Sequence, residues 1–270
     1  MPGSVENVGN ARTVKRYLQL ATALAGQEFP GAYRGNLTGV FAAIGVPLAM
    51  LATYSFVFST LIPVRIRPGQ STGEYTLFLF SGLVVWNLVA DVVVRSPRLF
   101  ASAGHYVHRS QFPISLLVLA PCLASFYRSL PWLGAYALAH YWLLGTASWT
   151  FLAAPFVLFL TMLIALGIGL LLASLGAVLR DLADIVPPVM SLAFFVSPIL
   201  YPASRLSEIN DWVLLLNPVS APIRIMHSVL SEGSYPPMLL FGETALAALF
   251  SIGLGGFVYF GVRGSLQDLV

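Results

Sequence analysis

The chain has 270 residues, 57% of them hydrophobic and only 9% charged, with a mean hydropathy of +0.82. A soluble domain carries about 25% charged residues, so the composition excludes an ordinary soluble globular class and indicates a membrane bundle. Fourteen basic against eleven acidic residues leave a net charge of +3, an excess that fits orientation charge at a membrane rather than a nucleic-acid footprint.

Residues 1–12 are polar and predicted to be disordered. Nothing in the first forty residues reads as a short apolar region with a small-residue cleavage site, so no cleavable signal peptide is expected. Residues 13–29 are mildly amphipathic: Tyr17, Leu20, Ala21 and Leu24 can share one helical face, away from Lys15, Arg16, Gln19 and Gln27. They form either a helix lying in the membrane interface or an ordinary soluble helix. Pro30-Gly31 breaks it, and Tyr33-Arg34-Gly35 leads into the first apolar run.

Six runs are predicted to span, at about 38–62, 75–94, 113–145, 150–179, 185–201 and 237–262. The first 37 residues then form a tail and interfacial helix, and 38–270 a transmembrane domain. Residues 63–73 are a polar Pro/Gly loop. The second run holds Trp86 and, near its end, Asp91. Residues 95–112 are mixed, with Arg95, Arg98, His105, His108 and Arg109. The third run is too long for one straight crossing, since a helix of its length reaches about 50 Å against a core of about 30 Å. Pro121 and Pro131 offer kinks, and Arg128 lies between them. The fourth carries Ala165, Gly169, Ala173 and Ala177 at four-residue spacing, a stripe that lets helices approach closely in lipid.

The fifth run, after Arg180, Asp181 and Asp184, is short. It is cut by Pro187 and Pro188, carries Phe194-Phe195 and ends in Ser197-Pro198 and Tyr201-Pro202. Prolines free backbone carbonyls that lipid cannot satisfy, so it reads as a broken span at the centre of a transport route. Residues 203–236 are predicted to hold two short amphipathic helices. Ser207 caps one, with Trp212 and residues 214–216, which Asn217-Pro218 ends. Ser220 caps the other, with Ile223, Met226, Val229 and Leu230 on one face, Arg224, His227 and Ser231 on the opposite face, and Gly233 at its end. Together they look like a lid or re-entrant hairpin.

With six spans both termini share one side. The loops there hold Arg12, Lys15, Arg16, Arg34, Arg95, Arg98, Arg109, Arg180 and Arg263, and the opposite loops hold Arg65, Arg67, Arg205 and Arg224. The positive-inside rule then places both termini in the cytoplasm and the lid outside.

The chain lacks G-x-x-x-x-G-K-[ST], and its only lysine is Lys15, so no Walker A loop binds ATP here. It also lacks HExxH, G-x-S-x-G and Cys/His metal spacing, and the lone Cys122 excludes an internal disulfide. The four scattered histidines read as structural or interfacial. Ionisable residues inside spans are costly and default to functional hypotheses. Arg128 faces an internal cavity or snorkels at a kink, Asp91 sits at an interface, and Glu243 faces an exit vestibule or pairs with Arg224.

The order of features resembles the permease subunits of ABC exporters for bacterial cell-surface polysaccharides, of the O-antigen and capsule type. The matching pieces are F-P-G-A-Y-R-G-N-L-T-G-V-F with P-L at 29–48, H-R-S-Q-F-P at 108–113, R-D-L-A-D at 180–184, S-P-I-L-Y-P at 197–202 and N-P at 217–218. The resemblance implies an all-α integral membrane protein: a six-span bundle with an N-terminal amphipathic interfacial helix and short outer-side gate helices between spans five and six. It implies a multi-pass protein of the bacterial inner membrane, working as a homodimer with two ATP-binding cassette subunits that bind ATP and Mg, so that this chain has no cofactor or metal, is not an enzyme, and contacts membrane lipids but no nucleic acid. The cargo it implies is a lipid-linked glycan.

On this resemblance Tyr33 and Arg34 meet the lipid pyrophosphate. Arg98, His108, Arg109 and Phe112 belong to the loop that couples to the ATPase. Tyr54, Phe58, Arg128, Phe194, Phe195 and Tyr201 line the path, and Trp212, Asn217, Pro218, Arg224 and Glu243 form the outer gate. Two other readings stay open: a permease of the same broad superfamily that exports a drug or lipid, and a membrane enzyme acting on polyprenyl phosphates, for which Asp181 and Asp184 are a sparse metal set.

Overall fold

The computed structural model describes residues 19, 22–23, 37–57, 71–100, 115–145, 148–207 and 210–269. The helix expected over 13–29 falls largely outside the described residues, as do Tyr33, Arg34, Phe58, His108, Arg109 and Phe112.

The described residues are all-helical. In order they form α1 (Leu37–Phe56), α2 (Thr72–Leu99), α3 (Leu116–Leu144), a 3₁₀ turn (Trp149–Ala153), α4 (Ala154–Val178), α5 (Leu182–Val196), α6 (Ala203–Ser207), α7 (Asp211–Leu216), α8 (Ser220–Met226), a π turn (His227–Ser231) and α9 (Met238–Leu269). Four stretches are long and apolar enough to cross a membrane: Gly73–Leu99, Leu116–Leu144, Trp149–Val178 and Met238–Val262. Gly45–Phe56 and Leu182–Val196 are shorter apolar helices.

Helix α2 is the centre of the bundle. Ser71 caps it by accepting from the Glu74 backbone N–H at 3.2 Å, and Glu74 supplies an acidic first turn. Leu77, Leu79, Phe80, Val84, Val85 and Val92 are all buried. That burial comes from packing on several sides at once, against α3, α4 and α5. By contrast α9 leaves Leu246, Leu249, Phe250, Phe257 and Phe260 exposed, an apolar outer face that suits lipid. The third expected span is one unbroken helix through Pro121 and Pro131. It ends where Gly145, at φ 67°, donates to the Tyr141 carbonyl, a left-handed cap that glycine adopts without steric cost.

Small residues set the closest approaches. A Cβ on Gly167 would run into the backbone of Ser251 and Ile252 of α9, and one on Gly255 into the Gly167 carbonyl. On another face of α4, Gly169 meets Val92 and Ser96, and Gly176 meets the Pro97 backbone of α2. The Ala165–Gly169–Ala173 stripe is buried as expected of a packing seam. The tighter α4–α9 contact through Gly167 and Gly255 has no such regular spacing.

Helix α5 departs from the expected broken span. It runs continuously through Pro187 and Pro188. The carbonyls those prolines leave without helical partners belong to Ala183 and Asp184. Both lie in the first turn, at the end of the bundle where Asp184 is exposed, so no break is needed. At 15 residues α5 is about 22 Å long, short of a hydrocarbon core of about 30 Å.

Candidate functional site

Three polar features stand out in this apolar bundle. The first lies between α2 and α3. Helix α2 continues to Leu99, five residues past the expected end of its span, because the charges of Arg95 and Arg98 mark the approach of water rather than the end of the helix. Asp91 is therefore two turns inside the helix, not at its end. Its Oδ2 accepts from Arg95 Nη2 at 2.7 Å, from Arg128 Nη2 and from the Ser125 hydroxyl. Holding a charged side chain inside a membrane-spanning helix is costly, and pairing offsets part of that cost. Arg128 thus faces a cavity of about 190 Å³, lined also by Asn87, Asp91, Ser125 and Trp132. The sequence marks Arg128 and Asp91 singly; their contact joins positions 37 residues apart and has no local signal.

The second feature is the aromatic end of α5. The Phe194 ring meets Trp86 edge-on at 5.6 Å and Phe195 at 5.4 Å. Phe195 is 63% exposed, and the Tyr201 hydroxyl donates back to its carbonyl. Tyr54, on α1, is half-buried against the core. At the opposite end of α5, Arg98 Nη2 and Asp184 Oδ1 pair at 3.1 Å, both well exposed. This pair links the last turn of α2 to the first of α5, and is weak in water.

The third feature is the segment between α5 and α9. Its capping differs from expectation. Ser207 ends α6 rather than starting α7, and Asn210 caps α7 by accepting from the Trp212 N–H at 3.0 Å. Ser220 caps nothing and its hydroxyl is buried without a partner among the described residues. Asn217 does the work instead. Its Oδ1 accepts from the Val219 N–H at 3.1 Å and its Nδ2 donates to Ser197 Oγ at 2.9 Å, tying α7 and α8 to the end of α5. Elsewhere α8 packs on α9, α2 and α4, so those helices, rather than the α5 aromatics, cover most of its apolar face. Thr150 adds a hydrogen bond to the Val229 carbonyl at 2.5 Å.

His227 is also displaced from the expected polar face. It follows directly on α8, six of whose seven residues are buried, so that helix offers it no solvated face, and it is itself buried at the start of a π turn, His227–Ser231. Its ring lies 3.8 Å from that of Phe78, over Gly82, where a Cβ would come within 2.9 Å of Nε2. Arg224 and Glu243 do approach one another, at 3.7 Å. They line a cavity of about 760 Å³ together with Ser204, Ser207, Asp211 and the exposed Trp212. Asn217 and Pro218 border an adjoining apolar groove with Leu246 and Phe250.

The sequence pattern of the ABC-2 type transporter membrane family matches residues 19–230, which includes every element from α1 to α8. The chain belongs to this family. As an ABC-2 membrane protein it is a multi-pass transport subunit rather than an enzyme. It is 24% identical over 217 residues to an O-antigen export system permease protein RfbA of Klebsiella pneumoniae, covering 79% of this chain and 81% of that one. It is 23% identical over 249 residues to the protein of the same name from Myxococcus xanthus, covering 89% and 92%. Both alignments run across most of the bundle, so the likeness is to a whole permease and not to one motif.

Proposed function

We propose that this ABC-2 subunit exports a lipid-linked polysaccharide, of the O-antigen kind or similar, across a bacterial inner membrane. The observation that carries this reading is the likeness to O-antigen export permeases over about four-fifths or more of both chains. Two copies pair, and each docks an ATP-binding cassette subunit on the cytoplasmic side. Helices α1 and α5, with the four longer ones, make six crossings, both termini are cytoplasmic, and Arg98 with residues 101–113 faces the ATPase. Arg34 and Tyr33 receive the pyrophosphate of the lipid carrier, since a guanidinium grips phosphate through two parallel hydrogen bonds. The segment from α6 to the π turn is an outer gate, and the aromatic end of α5 offers ring faces to sugars.

The test is purification with the cassette subunit. Each complex is expected to hold two copies of each protein, and lipid-linked glycan is expected to stimulate its ATP hydrolysis. The isolated chain should hydrolyse none. Arg34→Ala should assemble normally yet lose most of the stimulation, and Arg34→Lys should recover part of it. ATP turnover by the chain alone, or indifference of the complex to glycan, would contradict the assignment.

A further inference from the structure

The ionic cluster between α2 and α3 is more than a staple. One carboxylate, Asp91, is shared by two guanidinium groups, and all three contacts converge on its Oδ2. Arg128 spends only Nη2 on these contacts, including one to Ser125 Oγ at 3.1 Å. Its Nε and Nη1 have no partner among the described residues, nor does the side-chain amide of Asn87. Both side chains line the same cavity of about 190 Å³. That is room for a group several times a water's share of about 30 Å³, and too little for an oligosaccharide.

Depth narrows the ligand. Asp91 lies eight residues before the end of α2 and Arg128 twelve after the start of α3, about 12 Å and 18 Å along their helices. The rest of the cavity's lining is largely apolar, with Val84, Leu88 and Trp132, surroundings that admit a chain of lipid more readily than a hydrated ion.

We infer that this cavity binds the phosphate group of a membrane lipid, gripped by Arg128 and flanked by Asn87, with Asp91 limiting the affinity by competing for the same guanidinium. The inference does not depend on the cargo: an anionic phospholipid and a polyprenyl pyrophosphate share the group the site recognises.

Trp132 lines the cavity and stacks on Phe80 at 5.3 Å, which supplies a local reporter. The full chain in neutral detergent is titrated with short-chain phosphatidylglycerol, farnesyl pyrophosphate and inorganic pyrophosphate while tryptophan fluorescence is followed. A saturable change is expected with a lipid probe, and Trp132→Phe should remove it. Arg128→Gln should weaken binding roughly tenfold or more, as expected when a charged hydrogen-bonding group is lost. Arg128→Lys, which keeps the charge without the fork, should fall between, and it carries the test if the glutamine variant does not fold. Asp91→Asn should tighten binding. A structural staple predicts the reverse, because either variant would then loosen the cluster alike. The tighter of the two lipid probes identifies the source of the phosphate. Inorganic pyrophosphate binding as tightly as both would overturn the lipid assignment, and equal affinities for wild type, Arg128→Gln and Asp91→Asn would overturn the site. Because no ATPase or glycan enters the measurement, it fails or succeeds independently of the export reading.

Discussion

Gly167→Leu is expected to leave little or no folded protein. Helices α4 and α9 form the most extensive contact in the bundle, and at Gly167 even a Cβ would enter the Ser251–Ile252 backbone. Overpacking a core typically costs about 1–3 kcal/mol. Here the obstacle is backbone of a long helix rather than a side chain that can rotate, so the cost should reach or exceed the upper figure. In lipid no hydrophobic force holds helices together and close packing carries the association, so the loss has no substitute. Gly255→Leu should behave alike. Gly253→Leu and Gly256→Leu, on the same helix, meet nothing within 4 Å and should be tolerated. Fluorescence-detected size exclusion in mild detergent with a thermal ramp checks this. A Gly167→Leu protein that melts with the Gly253→Leu control would show that α4 and α9 do not approach this closely.

Locking the Ser197–Asn217 contact is expected to stop export. This side-chain hydrogen bond, at 2.9 Å, joins the end of α5 to the α7–α8 segment. Helix α8 is held by α9, α2 and α4, but α7 has no buried residue, so moving the α6–α7 part away from α5 breaks few contacts. Tyr201-Pro202 and Gly233, at φ 62°, flank the segment, and on the proposed gate role they would act as hinges of an element that a remote ATPase can bias. With Cys122 replaced, Ser197→Cys/Asn217→Cys should lose most glycan export under oxidant and regain it on reduction, while ATP hydrolysis by the complex persists at a lower rate. Complete cross-linking with export at the wild-type rate would mean that the segment is not a gate.

The long helices are legible in the sequence because uninterrupted apolar runs bounded by Gly, Pro and charge leave few alternatives; α3 and α4 lie within a few residues of the expected runs. The errors have local causes. Pro187 and Pro188 read as a break, yet near a helix start their missing donors leave only first-turn carbonyls unsatisfied. Arg95 and Arg98 read as a loop, but long side chains let a helix continue into polar surroundings. His227 lies inward because α8, which it closes, is buried on nearly every side, whereas its mix of polar and apolar residues reads as a helix with one solvated face. Of the site, the Arg224–Glu243 approach was foreseeable from two lone charges beside one another in the scheme. The Asp91–Arg128–Ser125 convergence was not, since it is fixed by how α2 and α3 pack across 37 residues of chain. The glycan and phosphate roles given to Tyr33, Arg34 and the α5 aromatics rest on likeness and chemistry.

The central claim is that this chain carries lipid-linked polysaccharide out of the cell. Its most direct test removes the gene from the organism that carries it and follows the glycan in two places, on the cell surface by antibody or lectin blot and inside by extraction of lipid-linked intermediates. The account predicts that surface glycan disappears while lipid-linked glycan accumulates within, and that the wild-type gene restores both. Surface glycan at the normal level, with no internal accumulation, would contradict it.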